Sequence, residues 1–116
     1  MNILGLISQL IGIKTLRLTN VATTVAKSQS SWSLEQELKA LRGSIPPEIG
    51  SVSKLTHLNL SQNYLSGELP LSLTNLTQLV KLDISFNQMS GSIPSTIGLL
   101  TSLTRLHLQS NQIVEY

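Results

Sequence analysis

The stretch that decides the fold spans residues 55–108 and reads LTHLNLSQNYLSGELPLSLTNLTQLVKLDISFNQMSGSIPSTIGLLTSLTRLHL. It repeats itself every 24 residues, so that Leu55, Leu79 and Leu103 open three successive units. A fixed period of this length indicates an array of stacked units rather than a single globular core. Each unit continues with an apolar pair, an Asn and one more apolar residue: Leu58/Leu60, Asn63 and Leu65; Leu82/Ile84, Asn87 and Met89; Leu106/Leu108, Asn111 and Ile113.

The spacing L-x-x-L-x-L-x-x-N is the leucine-rich repeat. It predicts an α/β fold, a right-handed solenoid with a parallel β-sheet on its concave face. Successive strands are expected about 4.8 Å apart, with alternate side chains buried. An Asn amide can bond the backbone of its turn and a neighbouring Asn, which predicts a structural ladder of Asn63, Asn87 and Asn111. Gly67 and Gly91 favour turns that a Cβ would hinder, and Pro70 and Pro94 fix φ where the chain leaves the turn.

Composition sets the limits on function. Of 116 residues 41% are hydrophobic and only 3% aromatic, so the core is aliphatic. The net charge of +2 is too small to indicate nucleic acid. The chain has no Cys, which excludes disulfides and thiolate metal sites. We therefore expect no nucleic-acid partner, no cofactor and no metal.

The first 32 residues form an atypical leader. Their apolar run, Ile3 to Ile13, is too short to span a bilayer. Thr24-Val25-Ala26 is similar to a signal-peptide cleavage site, but Lys14 and Arg17 lie between it and the apolar run, where a signal peptide carries no charge. Residues 15–25 suit a strand or a decayed repeat, and residues 26–32 a polar loop.

The solenoid domain is expected over residues 33–116, with a helical N-terminal cap at about 33–42. Ser33 and Gln36 match a capping box, and Leu34, Leu38 and Leu41 follow at helical spacing. Short helices are therefore predicted at this end of the fold. The segment Gly43-Ser44-Ile45-Pro46 nevertheless matches the back half of a repeat, 24 residues before Gly67 to Pro70.

The added L-x-G-x-(I/L)-P segment resembles the plant-specific class of leucine-rich repeats. Residues 43–113 look like the first repeats in the ectodomain of a plant leucine-rich-repeat receptor-like protein kinase. The family's N-terminal cap carries a Trp and a Cys pair; Ser31-Trp32 echoes it, and the Cys pair is missing. The resemblance implies a protein or peptide ligand, a co-receptor and an extracellular, cell-surface location. Kinase motifs, a transmembrane span and a convincing signal peptide are absent from these 116 residues, so we predict a fragment of such an ectodomain and no enzyme activity.

The candidate ligand-binding residues are the outward side chains of the predicted strands. A basic first column is expected to meet an acidic group, and an exposed Phe supplies an apolar anchor. The alternative is an ordinary solvated face, since a standard interface needs about 800 Å² per partner. The candidates are His57, Asn59, Lys81, Asp83, Phe86, Arg105 and His107.

Other chemistry on this face is weighed and set aside. Asp83, Ser85 and His107 invite comparison with a catalytic triad, but an open sheet supplies no oxyanion hole. His57 and His107 are two strands apart, about 10 Å, too far to share one metal. Asn59-Leu60-Ser61 and Asn75-Leu76-Thr77 are N-glycosylation sequons, which matter only if the chain is secreted.

We predict a peptide- or protein-binding repeat module that takes part in signal perception. Two alternatives remain open at the level of sequence. One is a soluble, non-kinase interaction or inhibitor protein with the same repeats. The other is a truncated, non-functional gene product, which would show no cooperative melt.

Overall fold

The structure is a computed structural model that describes the backbone of residues 15–18, 23–27, 30–32 and 41–114, and the side chains of 41–114. The apolar leader segment and residues 33–40 of the predicted cap lie outside the described residues. The described strands are β1 Thr15–Leu18, β2 Thr23–Lys27, β3 Ser30–Trp32, β4 Arg42–Gly43, β5 His57–Asn59, β6 Tyr64–Gly67, β7 Lys81–Asp83, β8 Gln88–Met89 and β9 Arg105–His107.

The main sheet has six strands in the order β3-β2-β1-β5-β7-β9. Strands β1, β5, β7 and β9 run parallel, and their central leucines stay in register: Leu16 with Leu58, Leu58 with Leu82, and Leu82 with Leu106. This is the concave parallel sheet that the 24-residue period predicts. The fold is a leucine-rich-repeat solenoid.

A second sheet of β4, β6 and β8 follows the turn after each concave strand. All of its pairings are parallel, and the repeats that begin at Leu55 and Leu79 each add one strand to both sheets. The glycines that end β4 and β6, Gly43 and Gly67, and their equivalent Gly91 after β8 have φ of 81°, 80° and 76°. These positive φ angles lie in the region that glycine adopts without a Cβ penalty, which explains one Gly per repeat.

Short 3-10 helices form the convex side of the solenoid: η1 Pro47–Ser51, η2 Leu71–Asn75 and η3 Ser95–Leu99. Pro46, Pro70 and Pro94 precede them with φ of −70°, −69° and −64°, the value to which the ring locks the backbone. The helices stack, and the Ser72 hydroxyl donates to the Pro47 carbonyl at 2.6 Å across η1 and η2. No helix in the described part of the chain is both long and apolar enough to cross a membrane.

The core between these surfaces is a stack of aliphatic layers. Leu58 and Leu82 are 1% and 0% exposed, while Leu106, in the last described strand, is 38% exposed. Every buried side-chain nitrogen and oxygen of residues 41–114 has a hydrogen-bond partner. The buried apolar residues are Leu41, Ile45, Ile49, Val52, Leu55, Leu58, Leu60, Leu65, Leu69, Leu73, Leu76, Leu79, Leu82, Ile84, Met89 and Leu100.

The N-terminal expectations need correction. Residues 26–32 are not one polar loop, because β2 extends to Lys27 and β3 covers Ser30–Trp32, both antiparallel to their neighbours. The strand predicted within residues 15–25 is present as β1, which takes the sheet position of a repeat strand beside β5, as expected for a decayed repeat, while Thr23–Val25 belong to β2. The polar residues of β3 do not prevent pairing, since the backbone supplies the sheet hydrogen bonds.

The predicted helix does not extend to Arg42. Arg42 belongs to β4, where it pairs with Tyr64, and Gly43 pairs with Leu65. The Leu41 amide donates to Asn63 Oδ1 at 2.9 Å instead of to a helical carbonyl. Repeat packing therefore prevails over local helix propensity from residue 41 onward.

Candidate functional site: the concave face

The first column of the concave face is basic. Register places His57 beside Lys81 and Lys81 beside Arg105 on neighbouring parallel strands. Such strands lie about 4.8 Å apart, so the three side chains span about 10 Å. His57 and Arg105 are exposed and Lys81 is half-buried. Neither Lys81 nor Arg105 has an ion-pair partner among residues 41–114, so both cations are available to a ligand.

The second column consists of Asn59, Asp83 and His107, again in register and all half-buried. Asn59 Oδ1 accepts from both the amide and the hydroxyl of Ser61, at 3.0 and 2.7 Å. Asp83 Oδ1 accepts from the same two groups of Ser85, at 3.0 and 2.6 Å. Side chains that bond the backbone two residues on are a local turn device. One oxygen of each Asx side chain is therefore occupied within its own repeat.

The Asp83–Ser85 bond also bears on the triad comparison. The Ser85 hydroxyl donates to Asp83, and Ser85 is only 3% exposed. A nucleophilic serine needs its proton aimed at a base and its oxygen open to substrate. Asp83 and His107 do lie side by side on β7 and β9, but Ser85 serves the turn. Within residues 41–114 no cluster of three His, Cys, Asp or Glu side chains is placed to hold a metal ion.

An open depression of about 380 Å³ adjoins the concave face where each strand turns toward the second sheet. Gln62, Asn63, Tyr64 and Phe86 line it. The two aromatic side chains are 46% and 54% exposed. The Arg42 guanidinium lies 4.8 Å from the centre of the Tyr64 ring, within cation–π range. The arrangement offers apolar surface next to a positive charge.

Sequence reasoning found Phe86 and missed Tyr64 and Arg42. The sequence predicts Arg42 at the end of a helix, a prediction that does not include its strand pairing with Tyr64. The repeat itself contained the missing signal, because Tyr64 directly follows a ladder Asn, as Gln88 and Gln112 do, and these three residues are all exposed. A large aromatic residue at an exposed repeat position is a candidate contact.

Phe86 also has an unusual backbone. Its φ is 58°, and the equivalent residues Gln62 and Ser110 have φ of 59°. The left-handed region costs an L-residue roughly 1–2 kcal/mol. The turn before each ladder Asn imposes this conformation in three repeats. The left-handed conformation is therefore a feature of the repeat, and at this position Phe86 faces solvent.

The three ladder asparagines stabilise these turns through side-chain hydrogen bonds to the backbone. Asn63, Asn87 and Asn111 each accept a backbone amide of the preceding repeat at 2.9 Å, from Leu41, Leu65 and Met89. Asn87 Nδ2 donates to the carbonyls of Leu60, Ile84 and Ser85. The bonds of Asn87 and Asn111 go to backbone groups of two repeats rather than to another Asn side chain.

The solenoid fold and its concave face define a class of protein. Repeat proteins of this class present rows of polar side chains on a sheet and act as binding modules. The leucine-rich-repeat family model matches residues 54–76 and 78–100, and a second leucine-rich-repeat model matches residues 100–113. The chain belongs to the leucine-rich-repeat family, and its repeats are similar to those of plant receptor kinase ectodomains. No curated protein sequence matches the chain.

Several solved structures share this fold. The ectodomain of the plant membrane receptor kinase GASSHO1/SCHENGEN3 from Arabidopsis thaliana, in complex with CASPARIAN STRIP INTEGRITY FACTOR 2, is 49% identical with a TM-score of 0.63, over 64% of this chain and 9% of its own. The Arabidopsis receptor kinase HAESA, in complex with the peptide hormone IDA and the co-receptor SERK1, is 40% identical with a TM-score of 0.61, over 63% and 12%. A plant ice-binding protein is 44% identical with a TM-score of 0.61, over 63% and 24%. The chain thus spans about a tenth of the two receptor ectodomains.

Proposed function

We propose that the chain is an extracellular recognition module of the plant receptor-kinase type, which binds an acidic peptide segment across its concave face. A co-receptor is the second proposed partner, by analogy with the HAESA complex. Signal perception would follow when the two are brought together. The module contributes binding and no chemistry of its own.

One observation carries the proposal: the column of His57, Lys81 and Arg105. Register fixes its spacing at about 4.8 Å per step, so the three side chains span about 10 Å, the length of about three residues of an extended peptide. Lys81 and Arg105, which have no ion-pair partner among residues 41–114, attract a negative partner and repel a positive one. Asp83 lies in the neighbouring column, where its negative charge partly offsets this field, and two hydrogen bonds from Ser85 hold one of its oxygens toward the turn.

The depression beside the column adds apolar contact. Half-exposed Tyr64 and Phe86 offer ring surface to a side chain of the bound peptide. Aromatic residues are enriched among those that dominate binding energy. Arg42 beside Tyr64 places a further positive charge at this edge, again favouring an acidic segment.

A peptide array tests the proposal. The purified chain is incubated with extended 12-residue peptides of matched hydrophobicity that differ only in net charge. We expect capture of acidic peptides over neutral and basic ones, with a signal that falls as salt rises, because exposed charges are screened.

A charge-reversal pair then assigns the binding to the concave face. Lys81→Glu is expected to lower the affinity for the captured acidic peptides about tenfold or more. The matched control is Lys54→Glu, since Lys54 is an exposed lysine in the turn before β5, outside the column. Equal loss in both variants would mean attraction by net charge alone, and no loss in either would exclude the column.

A further inference from the structure

The two sequons lie on opposite surfaces of the solenoid. Asn59 is on concave strand β5, whereas Asn75 is the last residue of η2 on the convex side. Asn75 and Thr77 are both exposed. The Thr77 amide donates to the Asn75 carbonyl at 3.0 Å, so the sequon forms a tight surface turn.

The concave sequon is built into the fold. Asn59 is half-buried, and its Oδ1 accepts both the amide and the hydroxyl of Ser61. Ser61 itself is only 5% exposed. A glycan at Asn59 would have to leave the sheet beside His57 and Lys81, where it would cover the basic column.

The convex surface around Asn75 is open and partly apolar. Leu99 occupies the position of Asn75 in the next repeat and is 65% exposed, and Leu71 in η2 is 68% exposed. Large apolar side chains left in solvent favour association with other apolar surfaces. A sugar chain that begins at Asn75 would lie over this surface and shield it.

We propose that Asn75 is N-glycosylated and Asn59 is not, so that the convex side carries the glycan and the concave face stays open. The proposal rests on the extracellular location in the proposed function. In the reaction, Asn75 Nδ2 forms a bond to the anomeric carbon of an oligosaccharide carried on a lipid diphosphate. The carbon–oxygen bond to the diphosphate breaks, its electron pair leaves with the lipid diphosphate, and the amide nitrogen releases one proton.

Cell-free translation with endoplasmic-reticulum microsomes tests the assignment. A cleavable signal peptide fused ahead of Met1 delivers the full chain, so the result does not depend on the chain's own targeting. Protease protection establishes import in every arm. We expect one glycan, seen as a single upward gel shift that a peptide N-glycosidase removes, with Asp in place of the modified Asn in the released peptide.

Four variants locate the glycan. Asn75→Gln and Thr77→Ala should each abolish the shift, while Asn59→Gln and Ser61→Ala should leave it unchanged. An imported wild-type chain with no shift overturns the proposal, as does a shift that survives Asn75→Gln. A second glycan that disappears with Asn59→Gln overturns the restriction to the convex side. Retained acidic-peptide binding by unglycosylated Asn75→Gln would show that the proposed function stands independently.

Discussion

The interior repeat that begins at Leu79 and the last repeat, which begins at Leu103, share one motif and differ in burial. Leu82 is 0% exposed in β7, between β5 and β9, whereas its equivalent Leu106 is 38% exposed in β9. Among the described strands, β9 pairs with β7 alone. The motif therefore supplies the apolar side chains, and the neighbouring repeats that stack on them supply their burial.

The difference between an interior strand and the last described strand also affects the basic column of the concave face. Lys81 is on a strand with hydrogen-bonded neighbours on both sides, and Arg105 is on a strand with one neighbour among the described strands. Local stability follows local packing. We therefore expect Lys81 to be held more firmly than Arg105.

The largest contrast is expected from truncating the equivalent leucines. Leu82→Ala removes a fully buried side chain and should lower the free energy of unfolding by about 3–4 kcal/mol. Leu106→Ala should cost only about 1 kcal/mol, since much of that side chain is already in water. Urea unfolding followed by circular dichroism measures both, and equal losses would contradict the burial difference.

The ladder gives the next contrast. Asn87→Ala leaves the Leu65 amide and three carbonyls without their side-chain partner, a predicted loss of about 2–3 kcal/mol. Asn111→Ala should cost about 1 kcal/mol, because Asn111 is only part-buried and water reaches the groups it frees. Thermal melts of the two variants test this order, and a larger loss for Asn111→Ala would reverse it.

Two equivalent glycines on the convex side test stacking with a single methyl group. A Cβ on Gly50 would lie 2.6 Å from the Ser72 carbonyl oxygen, so Gly50→Ala should cost about 1–2 kcal/mol through forced movement of η2. Gly98 has nothing within 4 Å of the same position. Gly98→Ala is the matched control and is expected to change stability by at most about 0.5 kcal/mol.

The smallest expected effect has the opposite sign. Phe86→Asn should stabilise the chain by about 0.5 kcal/mol, since Asn tolerates the φ of 58° better than Phe and little ring burial is lost. It should also weaken acidic-peptide binding by removing one wall of the depression. A stability gain without any change in binding would exclude Phe86 from the contact surface.

The 24-residue period predicted the main features of the fold because each repeated residue type has one structural task. Leu58 and Leu82 mark the buried row, which Leu106 continues in register, and Gly67 and Gly91 mark the left-handed turns. Strand β1 lies where a strand or decayed repeat is predicted, but β3 could not be predicted in this way. Nothing in Ser30-Ser31-Trp32 has strand periodicity, and its pairing is supplied by β2.

The candidate site was partly predictable for the same reason. The period predicts the strand register, so the sequence alone places His57, Lys81 and Arg105 in one column. The stacking of Arg42 on Tyr64 could not be predicted from the period. It joins two repeats, and the local sequence around Arg42 favours a helix. The hydrogen bond from the Ser85 hydroxyl to Asp83 could not be predicted either. Whether an Asp side chain bonds its own turn or faces a ligand depends on its rotamer, which the sequence does not fix.

The most direct test of acidic-peptide recognition is an NMR titration of the isotope-labelled chain with the tightest acidic peptide from the array. We predict amide shift changes in β5, β7 and β9, at residues 57–59, 81–83 and 105–107, and at Phe86, with the convex helices η2 and η3 unchanged. Shift changes confined to residues 71–75 and 95–99 would contradict the assignment of the concave face.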